Sequence, residues 1–176
     1  MTRSNAFKLL KRMKHIIVCS SKIEGLGVHA GENIKKEAVI TKFQGQLKYK
    51  INKNERDALA HPDWVGVRKD YWIDPESPHK YFNHSCAPNA SINKTVEIIA
   101  LRDVRKGEEI TFDYSITEGD PRWEMACNCG WTNCRKIVRS VQFLPEHLFE
   151  KYFPYMRIYF KKLYTKANKK HGTVRA

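Results

Sequence analysis

No uninterrupted apolar stretch in these 176 residues approaches the ~20 needed to cross a bilayer, although 41% of the chain is hydrophobic. The basic opening Met1–Lys14 is followed by no apolar signal core and no cleavage site. These absences lead us to expect a soluble intracellular protein, cytoplasmic or nuclear, with no membrane contact. An exported effector stays open, because not every export route uses a cleavable leader. There is no internal repeat and no low-complexity segment. The length fits one domain plus extensions, with room for a real core.

Acid is missing from both ends. Met1–Lys14 carries five basic residues and no Asp or Glu, and Arg157–Ala176 carries seven and none. The net charge of +13 therefore belongs to the two ends, around a middle close to neutral. Basic ends favour acidic partners such as nucleic acid or chromatin-like complexes. Solvated tails that keep the protein soluble are an equally good reading of the composition.

Cysteine is scarce and odd in number. There are five, and Cys127, Cys129 and Cys134 fall within eight residues as C-x-C-x4-C. That pattern argues against a disulfide framework and, in a reducing compartment, for metal. Zinc takes four ligands in a tetrahedron. Three cysteines leave one place for water or for a residue distant in sequence, and Cys86 is the candidate. Gly130 gives the loop backbone freedom. Cys19 stands alone in an apolar run and reads as a core residue.

Short β-branched or apolar segments separated by turn signals predict a mainly β protein. The expected strands are 15–19, 38–43 (ending at Gly45), 64–67, 71–73, 96–101 and 110–114, with a short helix over 53–60. From Leu144 the period changes. Pro145 suits a helix start, Pro154 breaks the run, and Met156, Tyr159, Phe160 and Leu163 recur at helical spacing with a basic opposite face. We expect an amphipathic helix packed on the domain and fraying from about Lys166.

The stretch Tyr81–Asn89 reads Tyr-Phe-Asn-His-Ser-Cys-Ala-Pro-Asn. Asn83-His84 sets an amide beside an imidazole, which suits a buried hydrogen-bonded pair, a metal ligand, a general base or recognition of a polar ligand. In 110–114, strand alternation puts Phe112 and Tyr114 on one face and Asp113 on the other. An aromatic wall ending in a phenol can form a narrow channel, or be ordinary core. Gly25-Leu26-Gly27 alone is a turn.

Taken in order, these residues resemble the SET-domain protein lysine methyltransferases. The blocks are Gly25-Leu26-Gly27-Val28, Phe43-Gln44-Gly45, Tyr71-Trp72-Ile73-Asp74, Asn83 to Asn89, and Gly107 to Tyr114. Cys127 to Arg135 is similar to the post-SET zinc knuckle that follows that domain. The resemblance implies a β-clip fold in which the Asn83-His84 segment forms a pseudoknot with the loop ahead of Tyr114. It divides the chain into a basic tail (1–14), a catalytic domain (15–118), a zinc knuckle (119–140) and a basic helical extension (141–176). It implies S-adenosylmethionine near Gly25, Leu26, Gly27, Tyr71, Tyr81, Asn83 and His84, and zinc on Cys86, Cys127, Cys129 and Cys134. Tyr114 falls at the catalytic tyrosine, with Phe43 and Phe112 in the channel for the substrate lysine. Phenylalanine at both channel positions, where a tyrosine hydroxyl would anchor the amine, implies capacity for di- or trimethylation, with histone-like basic tails as substrates. Lys80-Tyr81 and Lys136 depart from the family pattern. The competing expectation is a non-catalytic zinc-stapled module that binds nucleic acid or chromatin through its basic ends. A zinc hydrolase would need an open metal position, which four cysteines deny.

Overall fold

A computed structural model describes residues 16–49 and 64–169. The helix expected over 53–60 lies outside the described residues, as does the basic opening Met1–Lys14. Ten short strands form four small sheets. β1 (Ile16–Ser20) and β2 (Leu26–Ala30) make an antiparallel ribbon. β3 (Val39–Lys42) pairs with β8 (Glu97–Ala100), which pairs with β7 (Ala90–Ile92). β4 (Gly45–Tyr49) pairs with β6 (Tyr71–Pro75), which pairs with β5 (Val65–Arg68). β9 (Glu124–Ala126) pairs with β10 (Ile137–Arg139). The mainly β expectation holds.

Four segments differ from what the sequence led us to expect. Gly45 does not end a strand but starts β4, paired along its length with β6; its polar residues Gln46 and Lys48 hid it. Residues 110–114 form one isolated bridge, Phe112 with His84, in place of a ladder, and Tyr114–Thr117 is one 3-10 turn with the Asp113 side chain accepting from Ser115 N at 3.1 Å. Cys19 is exposed, not core, because among the described residues β1 pairs only with β2 and turns that residue to solvent. The C-terminal helix does not fray from Lys166 but runs on to Asn168.

The core gathers Val28 and Ala30 of β2, Ile98 and Ala100 of β8, and Ile110, Phe112 and Ile116 into one cluster. Helices α1 (Glu146–Tyr152) and α2 (Ile158–Asn168) close that same cluster. Pro145 stands at the N-cap of α1. Tyr152, Met156 and Phe160 are buried, and the Phe149 and Tyr164 rings stack at 3.6 Å. Each such buried side chain contributes about 1.5–3 kcal/mol by leaving water. At Gly66 in β5, any Cβ would collide with the Thr117 carbonyl and lie 3.0 Å from the Phe160 ring. That glycine lets β5, the turn after Tyr114 and α2 meet.

Candidate active site

The glycine turn and Asn83 come together. Gly25 has φ +49°, which suits glycine, and bends the chain back after β1. Asn83 Nδ2 then donates to the Glu24 carbonyl (3.2 Å), the Leu26 carbonyl (3.1 Å) and Glu109 Oε1 (2.8 Å). Ser21 Oγ donates to both Glu109 oxygens at 2.8 and 2.9 Å. A Cβ at Gly27 would strike the Glu109 carboxylate, so a side chain there would push that acid away from Ser21 and Asn83. The sequence reading missed Ser21 and Glu109. Glu109 was visible only as one acid of Gly-Glu-Glu, with nothing to mark its partner. Tyr81 packs half-buried against the core. Tyr71 stands on β6, its ring 4.5 Å from Tyr49 and 3.8 Å from the Arg68 guanidinium. Those are its described ring partners.

The segment after Asn83 pairs in parallel with 110–114. His84 bridges Phe112, Ser85 N donates to the Phe112 carbonyl, and Phe112 N donates to the Asn83 carbonyl. This pairing brings Tyr114 over Phe82. The Tyr114 hydroxyl donates to the Phe82 carbonyl at 2.6 Å. Phe112 lies 5.0 Å from Tyr114 and 6.0 Å, edge-on, from Phe43. Phe43, Phe82, Phe112 and Tyr114 line one cleft, together with His79 and Lys80. Tyr114 keeps the neighbourhood with Phe112 that alternation predicted, although no ladder holds it.

His84 is 3% exposed and faces protein with both ring nitrogens. Its Nδ1 accepts from Tyr114 N at 3.2 Å, and its Nε2 lies 3.5 Å from Cys86 Sγ. Burial pulls its pKa down to about 4, with Asp113 opposing and Arg135 reinforcing the shift. A neutral imidazole with an accepting Nδ1 is what the Tyr114 amide requires.

The four cysteines converge. The sulfurs of Cys86, Cys127, Cys129 and Cys134 all lie within 4.8 Å of one another, and Cys86 and Cys127 are 3.7 Å apart. Tetrahedral zinc with sulfur at ~2.3 Å requires sulfurs about 3.8 Å apart. Burial pushes the Cys86 and Cys127 thiols above their ordinary range, despite the Arg135 bonds that oppose the rise at Cys86. Clustered, half-buried thiols beside one cation fit a soft divalent metal that displaces their protons. Lys136, at the position marked as a departure, has φ +63°, and its carbonyl accepts from Cys127 N at 2.7 Å. Arg135, which the motif contained but the reading gave no role, turns inward. Its Nε and backbone N each lie 3.4 Å from Cys86 Sγ, and its Nη1 donates to Ser115 Oγ at 3.1 Å.

Comparison with known proteins follows this geometry. The family described as SET domain matches residues 25–115. Human histone-lysine N-methyltransferase 2D is 28% identical over 152 residues, covering 77% of this chain and 3% of the relative. The H3 lysine-36 specific histone-lysine N-methyltransferase of Debaryomyces hansenii is 30% identical over 142 residues, covering 72% and 19%. The chain thus spans less than a fifth of the length of these relatives. A solved structure of KRYPTONITE in complex with mCHG DNA and SAH superposes with a TM-score of 0.56 at 23% identity, over 70% of this chain and 28% of that one.

Proposed function

The chain belongs to the SET-domain family, and from that premise we propose that it is an S-adenosylmethionine-dependent histone-lysine N-methyltransferase able to place two or three methyl groups. One observation carries the reading. Phe82 and Asn83 are consecutive, yet the Phe82 carbonyl holds the Tyr114 hydroxyl in an aromatic cleft while the Asn83 amide holds the Gly25–Gly27 turn. A single peptide therefore joins an aromatic cleft to a glycine-built edge. The relatives' names, histone-lysine N-methyltransferases, supply the substrate class. Histone substrates put the working place in the nucleus.

Bound S-adenosylmethionine would supply a methyl group on a sulfonium, ready for in-line displacement by an amine. Gly25, Leu26, Gly27, Tyr71, Tyr81, Asn83 and His84 would hold it. The chain's own part is mostly positioning. The Phe82 carbonyl fixes the Tyr114 hydroxyl, and Tyr114, as catalytic residue, keeps the amine in line. Phe43 and Phe112 exclude water, which lowers the lysine pKa and favours the neutral nucleophile. Neither ring carries a hydroxyl to tether a methylated amine, so the amine turns for another round. Zinc on Cys86, Cys127, Cys129 and Cys134 would hold the knuckle against this site through Arg135. The basic ends would lie on DNA beside the substrate; faster transfer to nucleosomes than to bare histone tails tests that arm.

The test pairs binding with transfer. Calorimetry should show S-adenosylmethionine binding that Asn83→Ala loses, and labelled methyl should pass to core histones. Binding in folded, zinc-loaded protein without transfer to any core histone would sink the histone assignment.

A further inference from the structure

His79 is 4% exposed, and its Nδ1 has no hydrogen-bond partner among the described residues. It sits in the cleft wall, 5.5 Å from the Phe43 ring and stacked on Phe82 at 6.4 Å. Its other nitrogen, Nε2, is tied to Thr41 Oγ1 of β3 at 3.0 Å. Three other polar groups of the cleft are engaged. The Tyr114 hydroxyl donates to Phe82, the Thr117 hydroxyl donates to the Tyr114 carbonyl, and Glu118 Oε1 accepts from Gly119 N and Asp120 N. A buried nitrogen left without a partner costs about 1–3 kcal/mol. Such a group in a native fold asks for a reason.

We propose that His79 Nδ1 accepts a hydrogen bond from the target lysine amine, making His79 a substrate-binding residue of the cleft. The proposal rests on the methyltransferase reading for the identity of the amine. With Nε2–H given to Thr41, Nδ1 keeps a lone pair that an entering amine, as a donor, can use. Burial holds the imidazole pKa below its ordinary value, so the lone pair persists at neutral pH.

Two substitutions separate this contact from a structural role. His79→Asn puts an amide near the Nδ1 position and gives up Thr41, whereas His79→Gln reaches Thr41 and leaves the Nδ1 position bare. With core histones as substrate, His79→Gln should raise KM about tenfold or more, the effect of leaving a buried donor without its acceptor. His79→Asn should stay within about threefold of wild type, and both should bind S-adenosylmethionine as wild type does. Impaired Asn with intact Gln, or two intact variants, overturns the proposal. Should both variants fail to fold, wild-type protein decides. With 15N-labelled histidine, the His79 Nδ1 resonance should move to a hydrogen-bonded position on adding n-butylamine, and an unmoved resonance overturns the contact. Wild type that methylates no histone defeats the proposed function but leaves this amine titration standing as its own test.

Discussion

One guanidinium nitrogen of Arg135 donates to both carboxylate oxygens of Asp113, at 2.8 Å each. The end of the cysteine knuckle is thus fastened to the residue before Tyr114. Asp113 is wholly buried, so removing the cation leaves a bare internal charge. Arg135→Met should lower stability to urea by about 3–5 kcal/mol. Arg135→Met combined with Asp113→Asn should recover much of that loss. A single variant as stable as wild type would show that the pair holds nothing.

Removing the metal should loosen the same joint. Cys127→Ser, or a strong chelator, should take zinc from one per chain to near none. Thermal unfolding should then begin at lower temperature, and zinc should restore the chelated wild type but not the variant. Elemental analysis and calorimetry on one sample read both effects. An unshifted midpoint after zinc is gone would remove the knuckle from the stability of the fold.

Tyr114→Phe deletes only the hydroxyl that Phe82 accepts. Losing a contact that keeps the reacting amine in line costs about 10²-fold in kcat. We expect that loss with S-adenosylmethionine binding unchanged by calorimetry. A variant within a few-fold of wild type would take the catalytic role from Tyr114.

Phe112→Tyr returns a hydroxyl to the channel. Mass spectrometry of the methylated histone should show products shifted toward monomethyl lysine, whereas wild type proceeds to two or three. If wild type itself stops at one methyl under excess cofactor, the argument from the missing hydroxyls fails.

Glu118 gives a pH signature. Burial raises its pKa above the usual carboxylate range, against the two backbone N–H groups it accepts. A raised acid pKa means that the fold disfavours the charged form. The penalty is full above the folded pKa and vanishes below the unfolded value, about 4.3. Glu118→Gln should therefore be more stable than wild type near pH 7 and level with it near pH 4. Parallel melting curves across that range would contradict the assignment.

Much of the site could be read from residue order because its chemistry is local. Asn83-His84, Cys86 and the C-x-C-x4-C run announce themselves in segments of ten residues or fewer, and the structure gathers Asn83 to the glycine turn and the four sulfurs to one point. What escaped was set by distant partners. Glu109 matters because Ser21 and Asn83 reach it from other segments. His79 matters because Thr41 occupies one nitrogen and nothing described occupies the other. Likewise β4 is a strand because β6 lies beside it, and Cys19 is exposed because β1 has one neighbour among the described residues. Period and propensity describe a segment alone, and these features depend on what each segment meets.

Zinc on the four cysteines, as proposed, would also set an order of assembly. Cys86 precedes Cys127 in the chain by 41 residues, while the other two follow within seven of Cys127. On a chain emerging from the ribosome, Cys86 and the Asn83-His84 segment are made first, with no knuckle yet to receive them. The three clustered thiols can take up an ion among themselves at little cost in loop closure, whereas enclosing the stretch back to Cys86 is the costlier closure. Capture of Cys86 would then be the late step, bringing Arg135 to Asp113. The protein would become competent in its cleft only when its last cysteine has been made and its first zinc ligand has been claimed.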